Sequence, residues 1–154
     1  MAAKVNLSLL IDELESRFED WHSYLHRETG TITTISHEIL TKAEDEEPIE
    51  ELEDWEQTEY SMAVDILENP THYLTLPDRE EINEYRMMEN FCYSLKDGHA
   101  QDRLLMAIQG RGAFRRFKDQ VNTLGIAGEW YSFRMECYME FARDWCKFHE
   151  LEYE

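Results

Sequence analysis

The chain has 154 residues, of which 42% are hydrophobic and 12% aromatic, and its formal net charge at pH 7 is −19. This length predicts a single domain over residues 1–154, and the apolar content predicts a packed core rather than a disordered chain. The net charge disfavours nucleic acids and anionic membranes as partners, and no run approaches the ~20 apolar residues of a membrane helix.

The first elements predicted along the chain are a helix and a β-hairpin. Apolar residues recur at helical spacing over residues 7–18. Residues 20–36 then favour a hairpin, because the segment from Thr31 to Ile35 is almost wholly β-branched and Gly30 suits the positive φ of a short loop. Ser36 is typical of an N-cap and predicts a short helix through Lys42.

A second helix, an additional strand and a helical C-terminal half follow. The spacing of apolar residues predicts one helix over 48–68, and residues 72–76 are expected to add a third strand beside the hairpin. Asp78 and Glu81 predict a capped helix closed by Gly98. Further helices are predicted up to Gly110, from Phe114 to Gly125, and over 128–149. The fold class is therefore α+β, mostly helical, with a small antiparallel sheet.

A basic segment stands out in this acidic chain. Residues 103–118 contain five of the fifteen Lys and Arg residues and no acid. If the segment from 112 to 123 is helical, Phe114 and Phe117 point into the core, and Arg116 is displaced from the row formed by the other cations. The candidate partner- or anion-binding residues, called the arginine patch below, are Arg111, Arg115, Arg116 and Lys118.

Three interpretations of the arginine patch remain open from sequence. Its cations pair with carboxylates of the 48–68 helix or with the acids at 136, 140 and 144, or they bind a partner protein, or they bind phosphate or nucleic acid. Exposed amides at a helix N-terminus beside an arginine favour anion binding in the last two cases.

An acidic run is the second candidate surface. Residues 44–59 contain ten acids and no base, which indicates either a solvated helix face or a protein interface. The candidate acidic interface residues are Glu50, Glu51, Glu53, Asp54 and Glu56.

Catalytic, metal-binding and cofactor motifs are missing from the sequence. His22 and His26 are expected about 13 Å apart on a strand, too distant to share a metal ion. No nucleophile elbow, phosphate-binding loop or metalloprotease motif occurs, and Glu89, flanked by Met87, Met88 and Phe91, is the one buried acid expected. Neither metal nor cofactor is predicted, and an enzyme of unrecognised type stays an open alternative. Cys92, Cys137 and Cys146 are odd in number and have no C-x-x-C spacing, so we expect three free thiols in a cytoplasmic protein.

Ordered sequence blocks across nearly the whole chain resemble a bacterial family, the uncharacterised protein family UPF0158. The resemblance rests on Gly110–Asp119, the hairpin motif from Tyr24 to Gly30, the Tyr73–Pro77 segment, Met88-Glu89-x-Phe91, Leu104-x-x-Ala107-Ile108 and Trp130-Tyr131-x-Phe133. Where that family often carries an acid after Tyr-Leu in the hairpin, this chain has His26. The resemblance implies a relative but no biochemical activity.

The function predicted from these features is a non-catalytic cytoplasmic interaction or regulatory module. Its partner would be another protein, not identified by the sequence, which engages the acidic run and the arginine patch. The alternative is a nucleic-acid-related role, in which the patch binds phosphates or the acidic surface imitates them. The oligomeric state is left open.

Overall fold

A computed structural model describes residues 3–16 and 19–154, apart from the side chains of Glu51 and Arg79. It confirms an α+β fold that is mostly helical and contains one three-stranded antiparallel sheet. One compact unit comprises the described residues up to Pro77 with Ala142–Glu154, and the other is Asp78–Phe141. The single domain stays a prediction. No helix in the described ranges is long and apolar enough to cross a membrane.

The first unit is built around the predicted hairpin. The first strand, β1 (Trp21–His26), lies between β2 (Ile32–Ser36) and β3 (Tyr73–Thr75), so the third strand predicted at 72–76 is confirmed. Leu25 at the centre of β1 lies opposite Ile32 on one side and Leu74 on the other. The elements are α1 (Leu7–Glu15), β1 (Trp21–His26), β2 (Ile32–Ser36), α2 (His37–Glu44), α3 (Asp54–Glu68) and β3 (Tyr73–Thr75).

The loop of the hairpin depends on Gly30, as the sequence predicts. Its φ of +71° is strained for a side chain, and a Cβ built there would lie 3.0 Å from the carbonyl oxygen of Lys4. The chain start approaches this loop closely, since the Ala3 amide donates to the carbonyl oxygen of Glu28 at 2.7 Å. Glycine is thus required by backbone conformation and by space.

Two buried faces make the core of this unit. On α1, Leu7, Leu10, Ile11 and Leu14 form the predicted apolar stripe, whereas Phe18 lies outside the described residues. α2 and α3 pack with β2 into a second cluster. Its buried members are Ile35, Ile39, Leu40, Ala43, Leu52, Tyr60, Ala63 and Ile66.

The single helix predicted over 48–68 is interrupted. A short 3₁₀ turn spans Ile49–Glu51, Leu52 is extended, and α3 begins only at Asp54. The side chains of Glu53 and Glu56 form a reciprocal capping box at that start, which fixes a new helix N-terminus within the acidic run. The apolar spacing of 49, 52 and 55 is therefore shared by two elements.

The second unit is helical, and two boundaries differ from the prediction. Asn83 has a φ of +53° and caps α5 through its side chain, so the helix expected after Asp78 is split there. Gly98 begins α6, capped by Asp97, and does not close the preceding helix. The helices are α4 (Arg79–Ile82), α5 (Glu84–Ser94), α6 (Gly98–Ala107), α7 (Ala113–Thr123) and α8 (Ala127–Phe148), whose last residues belong to the first unit.

An aromatic cluster forms the core of the second unit. The Phe117 ring lies 4.7 Å from that of Trp130, edge to face, and both contact Phe91. Phe133 adds a fourth ring at 5.3 Å from Phe91. Because Phe117 belongs to α7 and Trp130 to α8, this cluster fixes α7 with one particular face towards the core.

Candidate functional site

Arg116 on α7 holds the turn that joins α6 to α7. Its Nε donates to the carbonyl oxygen of Ala107 at 2.9 Å, and its terminal nitrogens donate to the carbonyl oxygens of Gln109 and Arg111. These carbonyls lie at and beyond the end of α6, where a helix leaves carbonyls without intrahelical donors. Arg116 is exposed, as the sequence predicts, but its guanidinium bonds backbone carbonyls and is not paired with a carboxylate in the described residues.

Gly112 makes room for the Arg116 guanidinium. A Cβ at this position would lie 3.0 Å from Nη1 of Arg116, and the φ of +79° is itself strained for a side chain. The Gly110-Arg111-Gly112 motif, which resembles part of a phosphate-binding loop, thus shapes a turn that is closed by an internal arginine.

The other three cations of the arginine patch are exposed. Arg111, Arg115 and Lys118 have no carboxylate within 4.0 Å among the side chains that the structure describes. Among the described side chains, none of the three therefore forms the ion pair with an acid of this chain that was one interpretation of the sequence. Their charges are accordingly available to an anion from outside the chain.

The two phenylalanines of α7 have different environments. Phe117 is 1% exposed and lies on the buried row of Ala113 and Val121, whereas Phe114 is 50% exposed. The expectation that both point into the core is wrong for Phe114, because the buried row follows i, i+4, i+8 from Ala113 and leaves Phe114 one position round the helix. Phe114 adds an aromatic surface next to Arg115.

A groove of about 520 Å³ lies between α6 and α7. It combines an apolar part, at Met106 and Ala107, with two guanidinium-bearing side chains. The side-chain oxygen of Gln120 is buried and has no hydrogen-bond donor among the described atoms. Residues lining this α6–α7 groove are Arg103, Met106, Ala107, Arg116, Asp119 and Gln120.

The acidic candidates lie at the start of α3. Glu50, Glu53 and Asp54 are exposed. Glu56 is half-buried, accepts from the Glu53 amide and lies 4.0 Å from the Lys42 ammonium, which makes it part of the helix start. The side chain of Glu51 lies outside the described residues.

Trp55 is a feature of the acidic run to which the sequence reasoning gave no role. It is 70% exposed, although its spacing to Ile49 and Leu52 suggests a core position. The break before α3 explains this, because Leu52 and Trp55 belong to different elements and need not face the same way. Its flanking residues, Asp54 and Glu56, are acids.

Groups able to do acid, base or nucleophilic chemistry do not gather in this groove, which contains neither Glu89 nor a histidine. Desolvation raises the pKa of Cys92 and of Cys146 to about 11, so both thiols are protonated near neutral pH and are poor nucleophiles. The three cysteines form no disulfide.

Two clusters of polar side chains were missed by the sequence reasoning. His22 Nε2 and His37 Nδ1 lie 3.1 Å apart, because the pairing of β1 with β2 brings the two strand ends together. No group of three metal-ligating side chains occurs within the described residues. In the second unit, Glu84 accepts from Arg134 at 2.6 Å and from the Tyr138 hydroxyl, joining α5 to α8. Neither pairing has a signal in sequence spacing.

Comparison with known proteins gives one match. The model of the uncharacterised protein family UPF0158 matches residues 3–154, which is nearly the whole chain. No curated protein and no solved structure matches the chain. The family description assigns no activity, so a functional conclusion depends on the site.

Proposed function

We propose that this chain, which belongs to the UPF0158 family, is a non-catalytic cytoplasmic interaction module that binds an acidic segment of a protein partner. The binding surface is the α6–α7 groove together with Arg111 and Arg115, which neighbour the lining residue Arg116 along the chain. Cytoplasmic placement agrees with three thiols that form no disulfide.

The observation that carries this proposal is that three exposed cations have no carboxylate partner among the side chains that the structure describes. The chain has 34 acidic residues, yet Arg111, Arg115 and Lys118 have no carboxylate within 4.0 Å among the described side chains. Arginine suits such a role, since its planar fork binds a carboxylate through two parallel hydrogen bonds.

The internal role of Arg116 adds preorganisation. By bonding the carbonyls at the end of α6, it fixes the turn that carries Arg111 and the start of α7. A surface held in its bound conformation loses less conformational entropy when a ligand binds.

The test is binding of a fluorescently labelled acidic peptide, measured by anisotropy. R111E/R115E should weaken binding by about 10-fold or more, since each exchange replaces attraction by repulsion. K96E/K147E is the matched control, because it makes the same change in net charge at exposed lysines outside the patch. Equal weakening in both variants would show a net-charge effect and contradict the proposal.

Single-stranded nucleic acid is the second candidate ligand, favoured by the half-exposed ring of Phe114 among the patch cations. Proteins that bind single strands combine such cations with rings on which bases stack. A single-stranded RNA and a DNA duplex, titrated at about 50 mM and about 200 mM salt, separate the classes. Tight, steeply salt-dependent RNA binding that Phe114→Ala abolishes would replace the acidic segment as the ligand.

A further inference from the structure

The side chains that line the α6–α7 groove indicate what kind of group could bind there. Met106, which is 76% exposed, and Ala107 offer an apolar surface, and the two arginines can lie over an aromatic ring. Gln120 contributes an amide oxygen that lacks a donor, and rotation about its soft terminal torsion can turn this oxygen towards a ligand. An aromatic ring that bears an N–H donor answers all three features; histidine and tryptophan both have one, and the indole of tryptophan offers the larger apolar surface for Met106 and Ala107.

The charges around the groove indicate which residues should flank the bound aromatic ring. The positive charges of Arg111 and Arg115, next to the lining residue Arg116, favour an occupant with acids beside its tryptophan. Asp119 also lines the groove and lies one helical turn after Arg115, so an acid of the occupant at Arg115 also meets the charge of Asp119, whereas Arg111 lies before α7.

The chain itself carries such a segment. Trp55 lies at the exposed start of α3 between Asp54 and Glu56, within sixteen residues that hold ten acids and no base. An exposed tryptophan in a charged surround is the residue type that most often dominates an interface when it is buried in a partner's pocket. Full burial of its side chain removes roughly 150–250 Å² from water.

We propose that the occupant is a second copy of this chain, whose Trp55 enters the α6–α7 groove while the exposed acids near it, Glu50 and Asp54, pair with Arg111 and Arg115. This inference rests on the proposed function, because it names the acidic partner of the same surface. The two surfaces in contact are different, so the association is head-to-tail and leaves one groove and one acidic segment free at the ends unless a ring closes.

Salt has opposing effects on this contact. Two chains of charge −19 repel one another over about 30 Å at ~0.01 M ionic strength, but over only about 8 Å at ~0.15 M. The local pairs between arginine and carboxylate weaken at still higher salt. Self-association is therefore expected to be strongest at intermediate ionic strength.

Sedimentation velocity over a range of protein concentrations tests the proposal. The wild-type chain should associate, and Trp55→Ala and R111E/R115E should each weaken association by about 30-fold, the effect of a dominant interface residue. Trp55 is exposed and its replacement leaves the buried core intact. Phe148→Ala, which removes another exposed aromatic ring, is the control and should associate like the wild type.

Mixing the two deficient variants gives the decisive result. Trp55→Ala retains an intact groove and R111E/R115E retains an intact acidic segment, so the mixture should form dimers that neither variant forms alone. No dimer in the mixture, or a wild type that stays monomeric at every salt concentration, overturns the inference. If the labelled acidic peptide then still binds in an Arg111- and Arg115-dependent manner, the proposed function stands without it; loss of both overturns both.

Discussion

At the scale of single residues, Arg116 shows how one side chain can change role when its surroundings are known. The sequence groups it with three other cations, but its guanidinium bonds three backbone carbonyls between Ala107 and Arg111. A pattern of charged residues cannot predict these bonds, because every residue has a backbone carbonyl and the fold decides which ones lie near Arg116.

Removing the Arg116 guanidinium is expected to destabilise the second unit. Arg116→Ala should lower the free energy of unfolding by about 1 kcal/mol, since the hydrogen bonds of the guanidinium are lost while water can reach the carbonyl oxygens of the exposed Gln109 and Arg111. Arg115→Ala, at an exposed position, should stay within about 0.5 kcal/mol of wild type. Chemical denaturation of both variants makes the comparison. Arg116→Lys serves as control: its ammonium has three donors on one nitrogen and lacks the spread of the guanidinium fork, so full rescue would refute the role of the planar fork.

The two phenylalanines of α7 should differ strongly in their contribution to stability. Phe117→Ala is expected to cost ~3–5 kcal/mol, because it removes a ring that is 1% exposed from the aromatic cluster. Phe114→Ala should cost less than about 1 kcal/mol, since half of its surface is already in water. Thermal melts give the order, and a larger loss for Phe114→Ala would mean that α7 is rotated relative to the structure.

At the scale of elements, caps and turns decide where helices and strands end. Ser36 caps α2 as the sequence predicts, with its hydroxyl accepting from the Ile39 amide. The capping box at Glu53 and Glu56 starts α3 later than the apolar pattern suggests. Asn83 likewise starts a new helix, because its left-handed backbone and its side-chain oxygen provide an N-cap that its neighbours do not suggest.

The hairpin gives a prediction on one glycine. Gly30→Ala should destabilise the first unit by about 1–2 kcal/mol or more, because it combines a positive φ with a Cβ 3.0 Å from the Lys4 carbonyl oxygen. Gly98→Ala is the matched control, since no atom lies within 4 Å of its added Cβ and alanine favours the start of α6. Equal destabilisation in the two variants, measured by thermal unfolding, would contradict the packing of the chain start on the hairpin loop.

At the scale of the whole molecule, alkaline pH should weaken the fold. Desolvation and a hydrogen bond to Asp65 raise the pKa of Tyr73 from 10.0 to about 12. Between these values the unfolded chain has lost a proton that the native chain retains, so stability present below pH 10.0 declines as the pH rises towards about 12. Cys92 and Cys146 act in the same direction between pH 9.0 and about 11.

Denaturant titrations across this pH range check the expectation. Tyr73→Phe should show a shallower decline above pH 10.0 than the wild type, whatever its stability at neutral pH, because it lacks the titrating hydroxyl. Parallel curves for the two proteins would show that Tyr73 contributes nothing to the alkaline slope.

The sequence alone predicts the hairpin, the Ser36 cap and the two charged segments, but not the late start of α3 or the break at Asn83. The hairpin, the Ser36 cap and the positive φ of Gly30 depend on interactions within a few residues, which a sequence pattern records directly. The concentration of basic residues near α7 and of acids before α3 can be read directly from the order of residues along the chain.

Only the tertiary structure decided what those charged residues do. Whether a cation pairs with a carboxylate, bonds a carbonyl or faces solvent depends on groups brought near it by the packing of α6 against α7, as Arg116 and Arg115 show on adjacent positions. The exposure of Trp55 and the unpaired oxygen of Gln120 have the same origin. Each depends on where neighbouring elements end and how they pack, and the spacing of residues along the chain does not predict that packing.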